Sequence, residues 1–152
     1  MSELVESDSI ESIVTVGVET VKLKDPLRHA LMKMVKRNIG SVVVVQGEEP
    51  VGIVTERDIS RCVAKGARAL RTQVKNLMSS PLITVTRSAT IQDAMTMMLK
   101  HGIRRLPVVE EGKLVGIVSE RDLLRWVLRI TYEPHVPLEI KEILERPPLS
   151  KS

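Results

Sequence analysis

Val51–Asp58 reads VGIVTERD and Val115–Asp122 reads VGIVSERD, a single stretch written twice with Thr55 exchanged for Ser119. The two copies stand 64 residues apart, and the same offset sets Thr20 on Thr84, Ala30 on Ala94 and Ile39 on Ile103 without a gap. The chain is therefore a tandem duplication. A period of 64 is too long for the common solenoid repeats, and two copies are too few to stabilise one. One domain built from two like halves is the expected outcome.

Working outward from each copy, Val42–Val45 and Leu106–Val109 are continuous apolar runs, as strands buried on both faces require. A turn at Gly47–Pro50 joins the first run to strand Val51–Val54, and Glu110–Lys113 forms the corresponding turn. Upstream, Asp25-Pro26 opens a helix whose Leu27, Ala30, Leu31, Met34 and Val35 recur at spacings of three and four. It ends near Asn38–Gly40. Ser88–Thr90 open the matching helix, with Ile91, Ala94, Met95, Met98 and Leu99, which stops at Gly102. Short strands are expected at Glu19–Leu23 and Leu82–Val85, a short helix at Val74–Met78, and helices from Glu56 to Lys65 and from Glu120 towards Ile130. Each half reads β-α-β-β-α, an α/β (α+β) class. The expected division is repeat 1 over 10–65, a basic polar linker over 66–73, repeat 2 over 74–130 and a tail over 131–152, whose LEIKEILERPP carries a short helix. Methionines 32, 34, 95, 97 and 98 suit either core filling or a soft ligand pocket, and core filling is the simpler reading.

The chain has 152 residues, 43% hydrophobic and 28% charged, within the range of soluble globular domains. No apolar run reaches the roughly 18 residues of a membrane span, and the start MSELVESDS is unlike a signal peptide, so a cytoplasmic location without membrane association is expected. One cysteine, Cys62, suits a reducing compartment and reads as packing. The net charge of +4 favours an anionic partner, whether nucleotide, nucleic acid or acidic protein. With no Phe, one Trp and one Tyr, the aromatic platforms usual for single-stranded nucleic acid are missing.

Thr55-x-x-Asp58 and Ser119-x-x-Asp122 both stand where a strand hands over to a helix, and two readings fit. In the first they are capping boxes, in which the hydroxyl accepts from the first helical turn and the acid reaches back to the cap amide. In the second, the free amides and positive dipole end attract phosphate, the hydroxyl donates to it, and the carboxylate accepts both hydroxyls of a ribose. Gly52 and Gly116, unfavourable inside strands, suggest close approach by backbone or ligand.

Paired β-α-β-β-α halves, each with an apolar middle strand and a G-h-h-[ST]-x-x-D hairpin, resemble cystathionine-β-synthase (CBS) domains, and the tandem resembles a Bateman module. The resemblance covers about Ile10 to Leu128. It implies a non-catalytic regulatory module packed around a pseudo-twofold axis, with two clefts for AMP, ADP, ATP or S-adenosylmethionine, assembled as a homodimer and acting on a separate effector protein. By position it puts the ribose-binding acid on Asp58 and Asp122 and the hydroxyl on Thr55 and Ser119. It puts basic residues on Arg104 and Arg105, where the first half has Gly40 and Ser41, so the clefts are expected to be unequal. Adenine is expected between aliphatic side chains, read by backbone around Val18–Thr20 and Leu82–Thr84. Arg57 and Arg121 are further phosphate partners on this resemblance, unless they pair with surface acids such as Glu56 and Glu120.

Two other readings stay open: nucleic-acid binding through the basic surface, not favoured for want of a concentrated basic tract, and a ligand-free dimeric scaffold in which the motif only caps helices. An enzyme is not expected. His29, His101 and His135 lack metal-ligand spacing, Cys62 has no recognisable partner, and no reacting group is evident for the repeated acids.

Overall fold

The computed structural model describes residues 8–132 and residue 142. In chain order the main elements are β1 (Thr20–Lys22), α1 (Leu27–Arg37), β2 (Ser41–Gln46), β3 (Glu49–Thr55) and α2 (Glu56–Val63), then β4 (Val85–Thr86), α3 (Ile91–His101), β5 (Arg105–Glu110), β6 (Lys113–Ser119) and α4 (Glu120–Tyr132). Each half is thus β-α-β-β-α, and the fold is α+β. The strands form two three-stranded sheets, β1-β2-β3 and β4-β5-β6. In each, the first pair is parallel and the second antiparallel, and each antiparallel ladder slips by one residue at equivalent places, after Val44 and after Val108.

Local chemistry sets the boundaries. Pro26 stands at the N-cap position of α1 without a side-chain cap bond, and Asn38, at φ 52°, ends the helix in the left-handed region, within the expected Asn38–Gly40 stop. Thr90 caps α3 through a closed box with Asp93, and Gly102 at φ 61° ends it. The short strand expected at Leu82–Val85 lies at Val85–Thr86 instead, since Leu82 and Ile83 are drawn into a cleft rather than a ladder. The linker holds a 3-10 turn over Ala67–Arg71, and the helix expected at Val74–Met78 is a 3-10 turn over Val74–Asn76. The expected tail helix lies outside the described residues, apart from Glu142.

Two apolar cores result, one per sheet, and each is completed by the other repeat's leader. Ile10, Ile13 and Val14 pack into the core of Ile91, Leu106, Val108 and Trp126. Val74, Leu77 and Met78 pack into that of Leu27, Val42, Val44 and Val54. The hydrogen bonds are reciprocal at the 64-residue offset. Ile10 N donates to Ala89 O as Val74 N does to Asp25 O, and Ile91 N donates to Asp8 O as Leu27 N does to Thr72 O. Bridges Thr15–Ile117 and Ser79–Ile53 complete the exchange. Contacts that swap partners in this way are the mark of a twofold relation.

Exchange also explains the repeated glycines. A Cβ on Gly52 would press against Met78 Sδ and Cγ, and one on Gly116 would lie 2.5 Å from Val14 Cγ2 and 2.9 Å from Thr15 O. What approaches them is the other repeat's leader, not a ligand. Among the methionines, Met34 and Met98 are core, whereas Met32 is 66% exposed.

Candidate functional site

At both strand-to-helix junctions the capping arrangement is formed. Asp58 Oδ2 accepts from Thr55 N at 2.8 Å and from Thr55 Oγ1 at 3.1 Å. Asp122 Oδ2 accepts from Ser119 N and Ser119 Oγ, both at 2.8 Å, and Asp122 N donates back to Ser119 Oγ at 3.1 Å. The next helical amides are occupied too, Glu56 N donating to Gly40 O and Glu120 N to Arg104 O. These bonds fall on one oxygen of each carboxylate. Oδ1 keeps its capacity to accept, so cap and ligand site are compatible at the same residue.

What surrounds the two junctions differs. Thr55, Arg57 and Asp58 line a cleft of about 580 Å³ with Glu56 and Arg61 of the same repeat and with Leu82, Ile83, Ile103, Arg104 and Arg105 of the other. That volume lies within the usual range of small-molecule sites. The floor comes from one repeat and the basic wall from its neighbour. On the other side, positions equivalent to part of this lining, among them Val18, Glu19, Ile39, Ser41 and Ile117, enclose about 20 Å³, room for one water, and neither Ser119 nor Asp122 lines that space. Ser119 is buried, whereas Thr55 is half-buried.

Three differences between the repeats account for the difference in chemistry: Gly40 and Ser41 stand in place of Arg104 and Arg105, and Glu19 in place of Ile83. Glu19 pairs with Arg37 at 3.0 Å and with Lys33 at 3.7 Å, so the closed side carries an anion already matched by its own cations. In the open cleft the excess is positive. Arg105 is half-buried, and its Nε is enclosed without a hydrogen-bond partner. Burial pushes its guanidinium below the ordinary arginine range; Glu56 opposes this, while Arg104 and Arg121 push it further down. Among the described residues the acid that Arg104 meets is the exposed Glu120, at 3.8 Å. An enclosed guanidinium donor without an acceptor is costly and rare, and an incoming anion would satisfy it.

Of the residues expected from sequence, the cleft brings together Thr55, Arg57, Asp58, Arg104 and Arg105. Arg121 does not line it but stands close enough to act on Arg105. Thr84 is half-buried outside it, although its neighbours Leu82 and Ile83 line it. Thr20 lies in a separate groove of about 410 Å³ between the hairpin turns, with Glu48 and Lys113. Ser119 and Asp122 stand at the closed side. Sequence reading passed over Arg61, which follows Asp58 by three positions and so shares its helix face. It also passed over Ile53 and Ile103, whose apolar side chains looked like ordinary core.

No helix among the described residues is long and apolar enough to cross a membrane. A family model described as the CBS domain matches residues 10–65 and 74–129. An uncharacterized protein of Methanopyrus kandleri is 38% identical over 117 residues, which cover 75% of this chain; the chain spans 57% of that protein's length. The CBS domain-containing protein YhcV of Bacillus subtilis is 34% identical over 76% of this chain and 82% of its own. The crystal structure of CBSX2 in complex with AMP superposes with a TM-score of 0.71 at 25% identity, over 82% of this chain and 98% of that one.

Proposed function

We propose, from the premise that the chain belongs to the CBS-domain family as a tandem pair, that it is a non-catalytic regulatory module binding a phosphorylated adenosine in the open cleft. The observation that carries this reading is the composite cleft, where the Thr55–Asp58 floor faces Arg104 and the unpartnered Nε of Arg105. Aliphatic Ile53, Ile83 and Ile103 suit the faces of an adenine, Asp58 Oδ1 suits the ribose hydroxyls, and the arginines suit phosphate through planar charge-assisted bonds. The AMP carried by CBSX2 supports the ligand class.

Charge narrows that class. Each added phosphate oxygen on a guanidinium contributes about 1.5–3 kcal/mol as a hydrogen bond to a charged group. The affinity order is therefore ATP and ADP above AMP, with the sulfonium cation S-adenosylmethionine last. The buried Ser119 and the small space among Val18, Glu19 and Ser41 support one nucleotide per chain. Because the cleft is walled by both repeats, a ligand that binds better when they close draws them together, and that shift is the signal. It passes to a separate effector protein. Val35 and Leu99 occupy equivalent positions in the two repeats and are 74% and 85% exposed, which supports a second copy of the chain as the neighbour that covers them. The reduced cytoplasm suits the buried free thiol of Cys62.

Titration calorimetry with ATP, ADP, AMP and S-adenosylmethionine tests the reading. The expected result is saturation at one nucleotide per chain in the order given. Equal affinity for S-adenosylmethionine and ATP would contradict the role assigned to the arginines.

A further inference from the structure

From Ile59 to Gln92 the chain carries Arg61, Lys65, Arg68, Arg71, Lys75 and Arg87 and no acid. The fold lays the middle of this segment beside the entry to α1. Leu27 N donates to Thr72 O at 2.8 Å, Val74 N to Asp25 O at 2.8 Å, and Lys75 N to Leu23 O at 3.1 Å, which brings Lys24 and Arg28 alongside the linker. Arg68 and Arg71 are three apart in a 3-10 turn, where side chains so spaced eclipse one another. Arg28 and Arg71 share a groove of about 380 Å³.

Lys24, Arg28, Arg68, Arg71 and Lys75 are all exposed, and among the described residues none has a carboxylate within ion-pair distance. The one acid at hand, Asp25, accepts from Lys22 N and faces His29. The duplication supplies an internal comparison. Repeat 2 builds the equivalent helix entry with Ser88 in place of Lys24, Gln92 in place of Arg28 and Asp93 in place of His29. The fold does not need the cations, and unscreened like charges on one corner work against it.

We propose that this corner is a docking surface for the phosphate backbone of a nucleic-acid duplex, bound without regard to sequence. Three of the five cations are arginines, whose planar forks match phosphate oxygens. No aromatic residue stands in this part of the chain, Trp126 and Tyr132 being the only ones, so there is no platform for unstacked bases. The surface is separate from the nucleotide cleft, none of whose lining residues belongs to it.

The test is fluorescence anisotropy with a labelled mixed-sequence DNA duplex over a range of salt. Five phosphate contacts give a slope of log affinity on log salt of about −4 to −5, a loss on the order of several hundred-fold between about 50 and 200 mM. The triple variant Arg28→Ala, Arg68→Ala, Arg71→Ala flattens that slope by about 2.7 without lowering the thermal midpoint or the ATP affinity. A comparison triple from repeat 2, Arg87→Ala, Lys100→Ala, Lys113→Ala, removes the same charge and leaves the slope unchanged. Equal effects of the two triples would show net charge acting without a surface and overturn the proposal, as would absence of duplex binding at low salt. Binding to polyglutamate or to phosphatidylserine vesicles as strong as to the duplex would overturn the choice of partner.

Discussion

Replacing Asp58 by Asn separates the two tasks that meet on one carboxylate. Its Oδ2 holds the cap, accepting from Thr55 N at 2.8 Å. An Asn amide oxygen can take over that bond, so the helix start survives; full loss of a cap would cost about 0.5–2 kcal/mol. The other position becomes an NH2 group, which cannot accept from ribose hydroxyls. The loss is that of hydrogen bonds to a charged acceptor, about 1.5–3 kcal/mol, or roughly a 10- to 150-fold weaker ATP affinity. Asp122→Asn makes the same chemical change at an equivalent cap, but one where Ser119 is buried and Gly40 and Ser41 stand in place of Arg104 and Arg105. Its expected effect on binding is less than about twofold, within 0.5 kcal/mol. Calorimetry gives the affinities, and thermal unfolding without ligand shows both variants folded. Equal weakening in the two variants, or none in either, would refute the division of open and closed sides.

Other outcomes follow from the same geometry. Arg105→Met removes an enclosed unpaired donor, so thermal stability rises, by about 1–3 kcal/mol, while ATP affinity falls at least about tenfold; denaturant unfolding and calorimetry read the two. Gly116→Ala forces a Cβ against the Thr15 backbone carbonyl, whereas Gly52→Ala meets the flexible end of Met78. Denaturant unfolding is expected to show about 2–3 kcal/mol lost in the first and about 1 kcal/mol or less in the second. Light scattering is expected to give a dimer for the unaltered chain and a monomer for Val35→Glu with Leu99→Glu.

The repeated hairpin made the fold legible because a continuous apolar strand, a turn and a helix start recur in one order, and duplication doubles each signal. What escaped is either short or distant. A two-residue β4 has no period to read, and the exchange by which Ile10–Val14 packs into the second core and Val74–Met78 into the first joins segments far apart in sequence, with nothing in their own residues to mark the partner. The reason for Gly52 and Gly116 was hidden with it. The inequality of the clefts was half visible in Gly40-Ser41 against Arg104-Arg105. Its other half, Glu19 against Ile83, required knowing that these residues face the space between the repeats. The basic corner escaped for a similar reason, being split between Lys24–Arg28 and Arg68–Lys75, neither of which is a tract alone.

A crystal structure of the chain grown with ADP bears most directly on the central claim. The account predicts one nucleotide per chain, with its ribose on Asp58, its phosphates against Arg104 and Arg105, and no nucleotide at Ser119–Asp122. A nucleotide seated at Ser119–Asp122 with the Arg104–Arg105 cleft empty would contradict it.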